Sequence, residues 1–312
     1  MRNCGSSARV VPHPKASPRA ASGLPLALGA YFIWGLLPLY LRLVKQVPAF
    51  EFIAWRIIWT VPLCLLFVTA ARQWSELIAA LRDSASVVRM ALSAALIAVN
   101  WCVYVLAIQQ GHVLAASLGY YINPLVNVLA GTLFLGERLS KRQWWAVALA
   151  AIGVSLLAWG AREMLYISLT LATTFAAYGL VRKLAPVGAL PGLTIESSIL
   201  ALPAIAVAAW YAASPAGSSM GQGLISDGLI AFSGVVTAVP LLMFAVAARR
   251  MDYSLLGMCQ FVAPTMVFLT GLAVFGEPLR PIQLACFVLI WLAIGVFVWD
   301  LLAQRSAQKT PA

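Results

Sequence analysis

The chain is built from apolar segments of about twenty residues, separated by short polar or basic stretches. An α-helix of about 20 apolar residues crosses a hydrocarbon core about 30 Å thick. The apolar positions are continuous rather than alternating, which favours helices over the strands of a β-barrel. The pattern predicts an all-α integral membrane protein with ten transmembrane helices. The predicted spans are 24–43, 50–71, 88–109, 112–134, 143–161, 164–182, 191–212, 224–247, 254–275 and 281–302.

The composition agrees with this interpretation. Of the 312 residues, 62% are hydrophobic and only 10% are charged, whereas a soluble domain has about 25% charged residues. So few charges cannot cover a surface that faces water. A large soluble protein with buried helices is therefore the disfavoured alternative.

The net charge of +11 is explained by the placement of the basic residues. If the N-terminus lies inside, the inner segments contain sixteen Lys and Arg residues and the outer segments contain four. Cytoplasmic loops of membrane proteins carry such an excess. The sequence therefore predicts that both termini are cytoplasmic, and the charge does not indicate a nucleic-acid partner.

Two stretches end apolar segments with the same Gly-Glu step: "GTLFLGERLS" (131–140) and "GLAVFGEPLR" (271–280). Positions 124–143 align with 264–283 without a gap, and seven of the twenty positions are identical. Each unit has five helices, so the second unit enters the membrane in the opposite orientation, as in many secondary transporters. We therefore predict two inverted five-helix repeats. The predicted division is a disordered cytoplasmic tail at 1–22, repeats at 23–161 and 162–302, and a cytoplasmic tail at 303–312.

The Gly-Glu step is interpreted first as structural. Gly136 can end the fourth helix in a left-handed conformation, and Ser140 with Gln143 can form a capping box for the fifth helix. Glu137 and Glu277 can pair with basic loop residues or with free amides. Their alternative role is at a gate.

Polar side chains inside the apolar segments indicate a substrate cavity, because such groups usually face the interior of the bundle. Tyr120, Asn123 and Asn127 share one face of the fourth helix. Paired proline-interrupted helices in two inverted halves mark the binding site of many transporters, and we predict helix breaks at Pro124 and Pro264. The other cavity candidates are Tyr31, Trp34, Arg56, Asn100, Trp101, Tyr178 and Gln260.

Each of these residues also has a structural interpretation. Asparagine can bond a neighbouring helix as packing glue, and Arg56 can bind either an anionic group or helix carbonyls. Glu196 can carry a coupling proton, or it can be an interfacial carboxylate bonded to Ser197 or Ser198. Glu51 is a second candidate for ion coupling and can also simply reach water. Arg56 and Glu196 are expected at different depths, which disfavours a direct ion pair.

Several stretches resemble the RarD branch of the EamA-type drug/metabolite transporters. They include "ALGAYFIWGLLPLY" (27–40), "ASLGYYINPLVNVLAGTLFLGERLSKRQWWA" (116–146) and "QFVAPTMVFL" (260–269). The resemblance implies two inverted five-helix halves in the bacterial inner membrane. It also implies a chloramphenicol-resistance-like permease that exports a small metabolite or drug by alternating access. The implied partners are a small-molecule substrate, the lipid bilayer and protons as a candidate coupling ion, with no cofactor.

Other functions are less well supported. No G-x-x-x-x-G-K-[ST] motif occurs in the sequence, which argues against nucleotide-driven transport. A channel or non-transporting membrane subunit is the second hypothesis, although repeated rings of charge are missing. A membrane-embedded lipid enzyme is the third, and it would need acids and histidines clustered near one interface. We therefore expect no enzyme activity, no catalytic residues and no metal site.

Overall fold

The computed structural model describes residues 18–160, 162–276 and 281–307. These residues form twelve α-helices, with a 3-10 turn at Arg162–Met164, and no strand. The helices are α1 (Pro18–Leu43), α2 (Ala49–Ala70), α3 (Trp74–Arg82), α4 (Ser84–Gln109), α5 (Val113–Phe134), α6 (Lys141–Gly160), α7 (Leu165–Leu184), α8 (Ala189–Ala213), α9 (Leu224–Arg250), α10 (Tyr253–Gln260), α11 (Val262–Ala273) and α12 (Pro281–Ala307).

The prediction of an all-α protein with ten transmembrane helices is confirmed. Nine stretches of the described chain are long and apolar enough to cross a membrane, and α6, with 20 residues, is the tenth. One of the nine consists of α10 and α11, which meet at Phe261. The short α3 was not predicted from the sequence. It buries Leu77 and exposes Trp74 and Ile78, as an amphipathic helix at a membrane interface does.

Three sequence expectations fall at the limits of the described chain. Glu277 lies outside the described residues, as do positions 1–17 and 308–312 of the predicted tails. α1 begins at Pro18 and α12 continues to Ala307. Both helices thus extend a turn or more into segments that the sequence pattern assigned to tails.

The helix boundaries repeat along the chain. Four helices of the first half and four of the second start at one constant offset, which is the same offset that aligns 124–143 with 264–283. The paired starts are 49 and 189 (α2, α8), 84 and 224 (α4, α9), 113 and 253 (α5, α10), and 141 and 281 (α6, α12).

The two halves are interleaved. α1 packs against α9, α10 and α11, and, with the halves exchanged, α7 packs against α4 and α5. α2 packs against its counterpart α8, and α6 packs against its counterpart α12. The main core therefore lies between the halves, and each half covers the interior face of the other.

The loops of the described chain alternate between two ends of the bundle. We call one the basic end and the other the opposite end. Contacts across each end establish this grouping: the Arg249 guanidinium reaches the Ala185 carbonyl at the basic end, and the Tyr40 hydroxyl reaches the Leu229 carbonyl at the opposite end. The basic end comprises loops 71–73, 135–140, 185–188 and 251–252, and the opposite end comprises loops 44–48, 110–112, 214–223 and 274–276.

The two Gly-Glu junctions have the same backbone conformation at glycine. Gly136 and Gly276 both have φ of 65°, the left-handed region that glycine enters without a steric cost. In the first junction the Gln143 amide donates to Ser140 Oγ at 3.1 Å, and the Ser140 amide donates to Gln143 Oε1 at 2.9 Å. The predicted capping box is therefore confirmed.

α9 approaches the backbone of α2 closely at Gly234. A Cβ atom added there would lie 2.7 Å from both the carbonyl carbon and the carbonyl oxygen of Trp59. These are backbone atoms, which cannot rotate away as a flexible side chain can. Gly228 lies on the same helix with nothing within 4 Å of such an atom.

We expect Gly234→Ala and Gly228→Ala to change thermal stability in opposite directions. Overpacking at Gly234 should lower the free energy of unfolding by about 1–3 kcal/mol. At Gly228 the better helix propensity of alanine should raise it by about 0.5–1 kcal/mol. Melting temperatures of the purified variants in a non-ionic detergent measure both effects. An unchanged melting temperature for Gly234→Ala would contradict the close approach of α2 and α9.

Candidate functional site

A narrow cavity lies between the two halves. Trp101, Tyr178 and Glu196 are the sequence-predicted residues in its wall. The centre of a water molecule can move through about 10 Å³ of it, which corresponds to about one ordered water molecule. The remaining wall residues are Ile57, Thr60, Ile97, Leu193, Ser197, Leu200, Thr237 and Leu241. A metabolite therefore requires the helices to move apart before it can enter.

A cluster of five aromatic rings adjoins this cavity. Tyr178 stacks on Phe244 with ring centroids 6.0 Å apart, and Trp34 contacts both Phe175 and Phe244. Tyr31 completes the cluster through Trp34 and Phe244. The predicted residues Tyr31, Trp34 and Tyr178 are thus brought together, and Tyr178 connects the cluster with the cavity.

Arg56 lies at the border of the cavity, where two wall residues hold it. Its Nε donates to Thr237 Oγ1 at 2.9 Å, and its guanidinium carbon lies 4.6 Å from the ring centre of Trp101. Tyr120 lies in the neighbourhood of Arg56, and its ring packs against Tyr104. The guanidinium is thereby fixed along one edge and over one face.

Glu196 forms a buried ion pair that the sequence analysis did not anticipate. Arg182 Nη1 lies 3.2 Å from Glu196 Oε1, and the two residues are only 2% and 3% exposed. Arg182 Nη2 also donates to the Ala189 carbonyl at 2.6 Å. The sequence analysis placed Arg182 at the last position of the predicted span 164–182, among the inner basic residues, and offered Ser197 or Ser198 as partners of Glu196. The long arginine side chain instead extends into the bundle, as amphipathic side chains can.

The predicted amide side chains join helices instead of lining the cavity. Asn100 donates to the Leu171 carbonyl at 2.8 Å, and Asn123 donates to the Ala172 carbonyl at 2.6 Å. Asn127 donates to Gln260 Oε1 at 2.9 Å, which connects α5 with α10. This arrangement corresponds to the packing-glue alternative.

The two prolines that were predicted to break helices lie in different settings. Pro264 is the third residue of α11, and the chain leaves the helix at Phe261, one turn earlier. A proline nitrogen cannot bond the carbonyl four residues before it, which agrees with that position. Pro124 lies inside the continuous α5, so the fourth transmembrane helix has no break there.

Glu51 binds the loop at the opposite end. Its carboxylate accepts hydrogen bonds from the Ser219 amide at 2.8 Å, and from the hydroxyl groups of Ser218 and Ser219 at 2.7 Å each. The indole of Trp55 donates to it at 3.2 Å. This buried carboxylate therefore fastens the 214–223 loop to the start of α2 and lies away from the cavity.

Glu137 also fastens two segments together, at the basic end, and its contacts connect the first half with the second. Its Oε1 accepts from the Tyr253 amide at 2.6 Å, and its Oε2 accepts from the Ser254 amide at 2.8 Å and the Ser254 hydroxyl at 2.7 Å. The sequence analysis predicted either basic loop residues or free amides as partners of Glu137, and the structure shows free amides.

Asp252 occupies the N-cap position of α10 without capping it. Burial, reinforced by the Glu137 carboxylate, raises the pKa of Asp252, while Lys183 acts in the opposite direction.

The cavity wall contains residues that the sequence analysis did not single out. Thr60 and Thr237 are the clearest examples, since each places a hydroxyl near the middle of an apolar helix. A polar group at depth is a signal, but single threonines also bond the carbonyl one turn earlier, as both do here. Whether these threonines face the cavity depends on how each helix is rotated about its own axis, and the sequence pattern does not define that rotation.

A wider groove lies at the opposite end, between the start of α5 and the 3-10 turn. Its open space is about 450 Å³, and His112, Arg162 and Trp159 are among the residues around it. None of the described residues that we predicted as site residues lines it. The cavity between the halves is therefore the better candidate site.

Comparison with known proteins places this architecture in a family. Residues 21–159 match the EamA-like transporter family. Protein RarD of Escherichia coli is 42% identical over 289 residues, which cover 92% of this chain and 97% of that protein. An uncharacterized transporter of Pseudomonas aeruginosa is 43% identical over 292 residues, covering 93% and 96%. The chloramphenicol-sensitive protein RarD of the same species is 32% identical over 285 residues, covering 90% and 95%.

The chain belongs to the EamA-like transporter family. It is similar to RarD over nearly its whole length, so the resemblance seen in the sequence is confirmed. A solved crystal structure that is 20% identical matches with a TM-score of 0.70, covering 92% of this chain and 99% of the other, which shows a shared fold. This EamA-type protein is therefore a multi-pass membrane transporter.

For this EamA-type transporter we expect Glu137→Ala to loosen the start of α10. The variant loses charge-assisted acceptors for two amides, and losing a helix cap costs about 0.5–2 kcal/mol. Hydrogen exchange followed by mass spectrometry should show faster exchange in the peptide that contains the Tyr253 and Ser254 amides.

The matched control is Asp83→Ala, which removes the cap that binds the Ala85 and Ser86 amides at the start of α4. It should accelerate exchange there and leave α10 unchanged. Equal exchange of the α10 peptide in wild type and Glu137→Ala would contradict the capping role.

Proposed function

We propose that this transporter is a secondary carrier of the bacterial plasma membrane that exports a small organic molecule by alternating access. One observation carries the proposal: a cavity lined by apolar and polar side chains lies between two interleaved halves whose helix starts repeat at one constant offset along the chain. Two similar units in opposite orientation can pack in two related ways, each opening the cavity to one side.

The contacts at the two ends support alternating access. Glu137 joins the loop after α5 to the start of α10 at the basic end, and Glu51 fastens a loop to α2 at the opposite end. Both contacts consist of hydrogen bonds to a carboxylate, and water can replace the protein donors when that end of the bundle opens. We propose that these contacts are the gates, with Glu277 as a further gate candidate.

The orientation and direction are part of the proposal. The excess of basic residues assigns the basic end to the cytoplasm, and both termini with it. Export of a small metabolite or drug is supported by the resemblance to drug/metabolite transporters. Because the name of one relative contains the words chloramphenicol-sensitive, chloramphenicol is a candidate compound.

We propose that Glu196 is the proton-coupling residue. It is the carboxylate in the cavity wall, and its partner Arg182 is also hydrogen-bonded to the Ala189 carbonyl. Protonation of Glu196 would remove its charge and leave Arg182 without a counter-ion. The same step would therefore weaken the contact between α7 and α8 beside the cavity.

A ligand screen followed by counterflow tests the carrier function. Purified protein is screened by thermal shift against bacterial metabolites and antibiotics, including chloramphenicol, because a ligand of the native state raises its stability. A compound that binds is then used in proteoliposomes. We expect saturable flux and accumulation driven by counterflow. Flux that rises linearly with concentration would favour a channel, and chemical conversion of the compound would favour an enzyme.

We expect Glu196→Gln to abolish the dependence of transport on a pH gradient while counterflow at equal pH persists. Removing one member of a buried ion pair costs about 3–5 kcal/mol, so the double variant Glu196→Gln/Arg182→Gln is prepared alongside it. The control is Glu163→Gln, at an exposed position of the opposite end. Transport that keeps its pH-gradient dependence in both Glu196 variants would exclude Glu196 from coupling.

A further inference from the structure

Two charged residues occupy equivalent places in the two repeats. Arg56 and Glu196 are related by the same offset as the helix starts, so they lie at the same distance from the starts of α2 at Ala49 and α8 at Ala189. Those starts are at opposite ends of the bundle. The two charges therefore lie at mirrored depths, each roughly 10 Å from its own end at 1.5 Å per residue. One is positive and the other is negative.

In the second half the charge of Glu196 is neutralised by a residue of the same half, whereas in the first half Arg56 has no such partner among the described residues. Glu196 pairs with Arg182, near the end of the preceding transmembrane helix. The corresponding region at the end of α1 carries Arg42, which lies over the ring of Phe275 at 5.5 Å. A second arginine cannot serve as the counter-ion of Arg56. The first half thus lacks the acid–base pair that its repeat-related counterpart contains.

The neighbouring carboxylates are already used by other groups. Glu51, on the same helix as Arg56, is bound by Ser218 and Ser219. Glu196 is bound by Arg182. Within the described chain no acid lies within salt-bridge distance of Arg56. An unpaired charge in a membrane bundle is costly and usually marks a functional site.

The guanidinium is held so that one edge is left available. Thr237 accepts from Nε and Trp101 covers one face. The two Nη groups have no hydrogen-bond partner among the described residues, and Arg56 as a whole is only partly buried. The free Nη1–Nη2 edge has the fork geometry that binds the two oxygens of a carboxylate. Thr237 and Trp101 also line the cavity, which places this edge at its border.

We propose that the transported molecule is a small organic monocarboxylate whose carboxylate binds the Nη1–Nη2 edge of Arg56. The inference rests on the carrier function proposed above and names its substrate class. The remainder of the molecule is apolar, because Ile57, Ile97 and Leu241 form much of the adjoining wall. A substrate ammonium group is not required, since the one carboxylate in the wall already pairs with Arg182.

Three matched probes test this inference by thermal shift in a non-ionic detergent at pH 7. They are 3-phenylpropanoate, its neutral amide 3-phenylpropanamide, and phenylalanine, which adds an ammonium group to the acid. We expect the acid to raise the melting temperature of the wild type, phenylalanine to raise it less, and the amide to leave it unchanged. Inorganic phosphate, a second source of an anionic group, should also leave it unchanged.

Arg56→Gln should weaken binding of the acid by about tenfold or more, because a charge-assisted pair is lost. Arg56→Lys retains the charge without the fork and should bind with intermediate strength. The control is Arg42→Gln, which removes an arginine stacked on an aromatic ring at the opposite end. It should bind the acid as the wild type does.

Several results would overturn the inference. They are an equal shift with acid and amide, a larger shift with phenylalanine or phosphate than with the acid, no shift with any probe, or undiminished binding in Arg56→Gln. If Arg56→Gln does not fold, the contrast of acid with amide on the wild type and the Arg56→Lys variant decide the matter. Saturable counterflow of the amide or another uncharged compound would leave the carrier function intact and reject the monocarboxylate.

Discussion

Each transmembrane helix near the centre of this protein packs mainly against helices of the opposite half, and the candidate site depends on this packing between the halves. Lipid tails are as apolar as leucine, so helices in a bilayer associate through close packing and hydrogen bonds rather than through the hydrophobic effect. Because Gly234 has no side chain, the backbone of α2 can approach α9 closely there. In the same way, Gly257 allows Pro124 and Asn127 of α5 to approach α10. Because the halves interlock in this way, the space that remains between them is small and central, and it can widen only when one half moves against the other.

Charge placement follows from the same low-dielectric setting. A buried ion that loses its partner is strongly destabilising, and the buried acids discussed above each have at least one partner. Glu196 has Arg182, Glu51 has two serines, and Glu137 has two amides of the other half. These contacts belong to different elements, so each one also fixes the position of a helix or loop. Arg56 differs because threonine and tryptophan orient it without neutralising it.

Much of the fold could be predicted from the sequence, because a bilayer admits few backbone arrangements. Span number, repeat offset and the capping box at Ser140 and Gln143 all follow from local rules. The partners of polar groups at depth could not be predicted, since they depend on how each helix is rotated about its axis. Asn123 and Asn127 do share one face, yet that face meets α7 and α10 instead of the cavity. Arg182 was counted among the inner basic residues because it ends the predicted span 164–182, although its long side chain extends inward.

The two halves are related but not equivalent, and the differences are concentrated around the cavity. The ninth span is interrupted at Phe261, whereas α5 continues past Pro124. Glu196 has its counter-ion within its own half, whereas Arg56 at the equivalent place has none among the described residues. Two identical halves would make the two packings equal in energy, so each departure from symmetry favours one packing over the other. A ligand can shift such a balance only through interactions that differ between the two states. The Arg56 guanidinium can supply such an interaction, because an anion bound there would provide the counter-ion that the guanidinium lacks among the described residues.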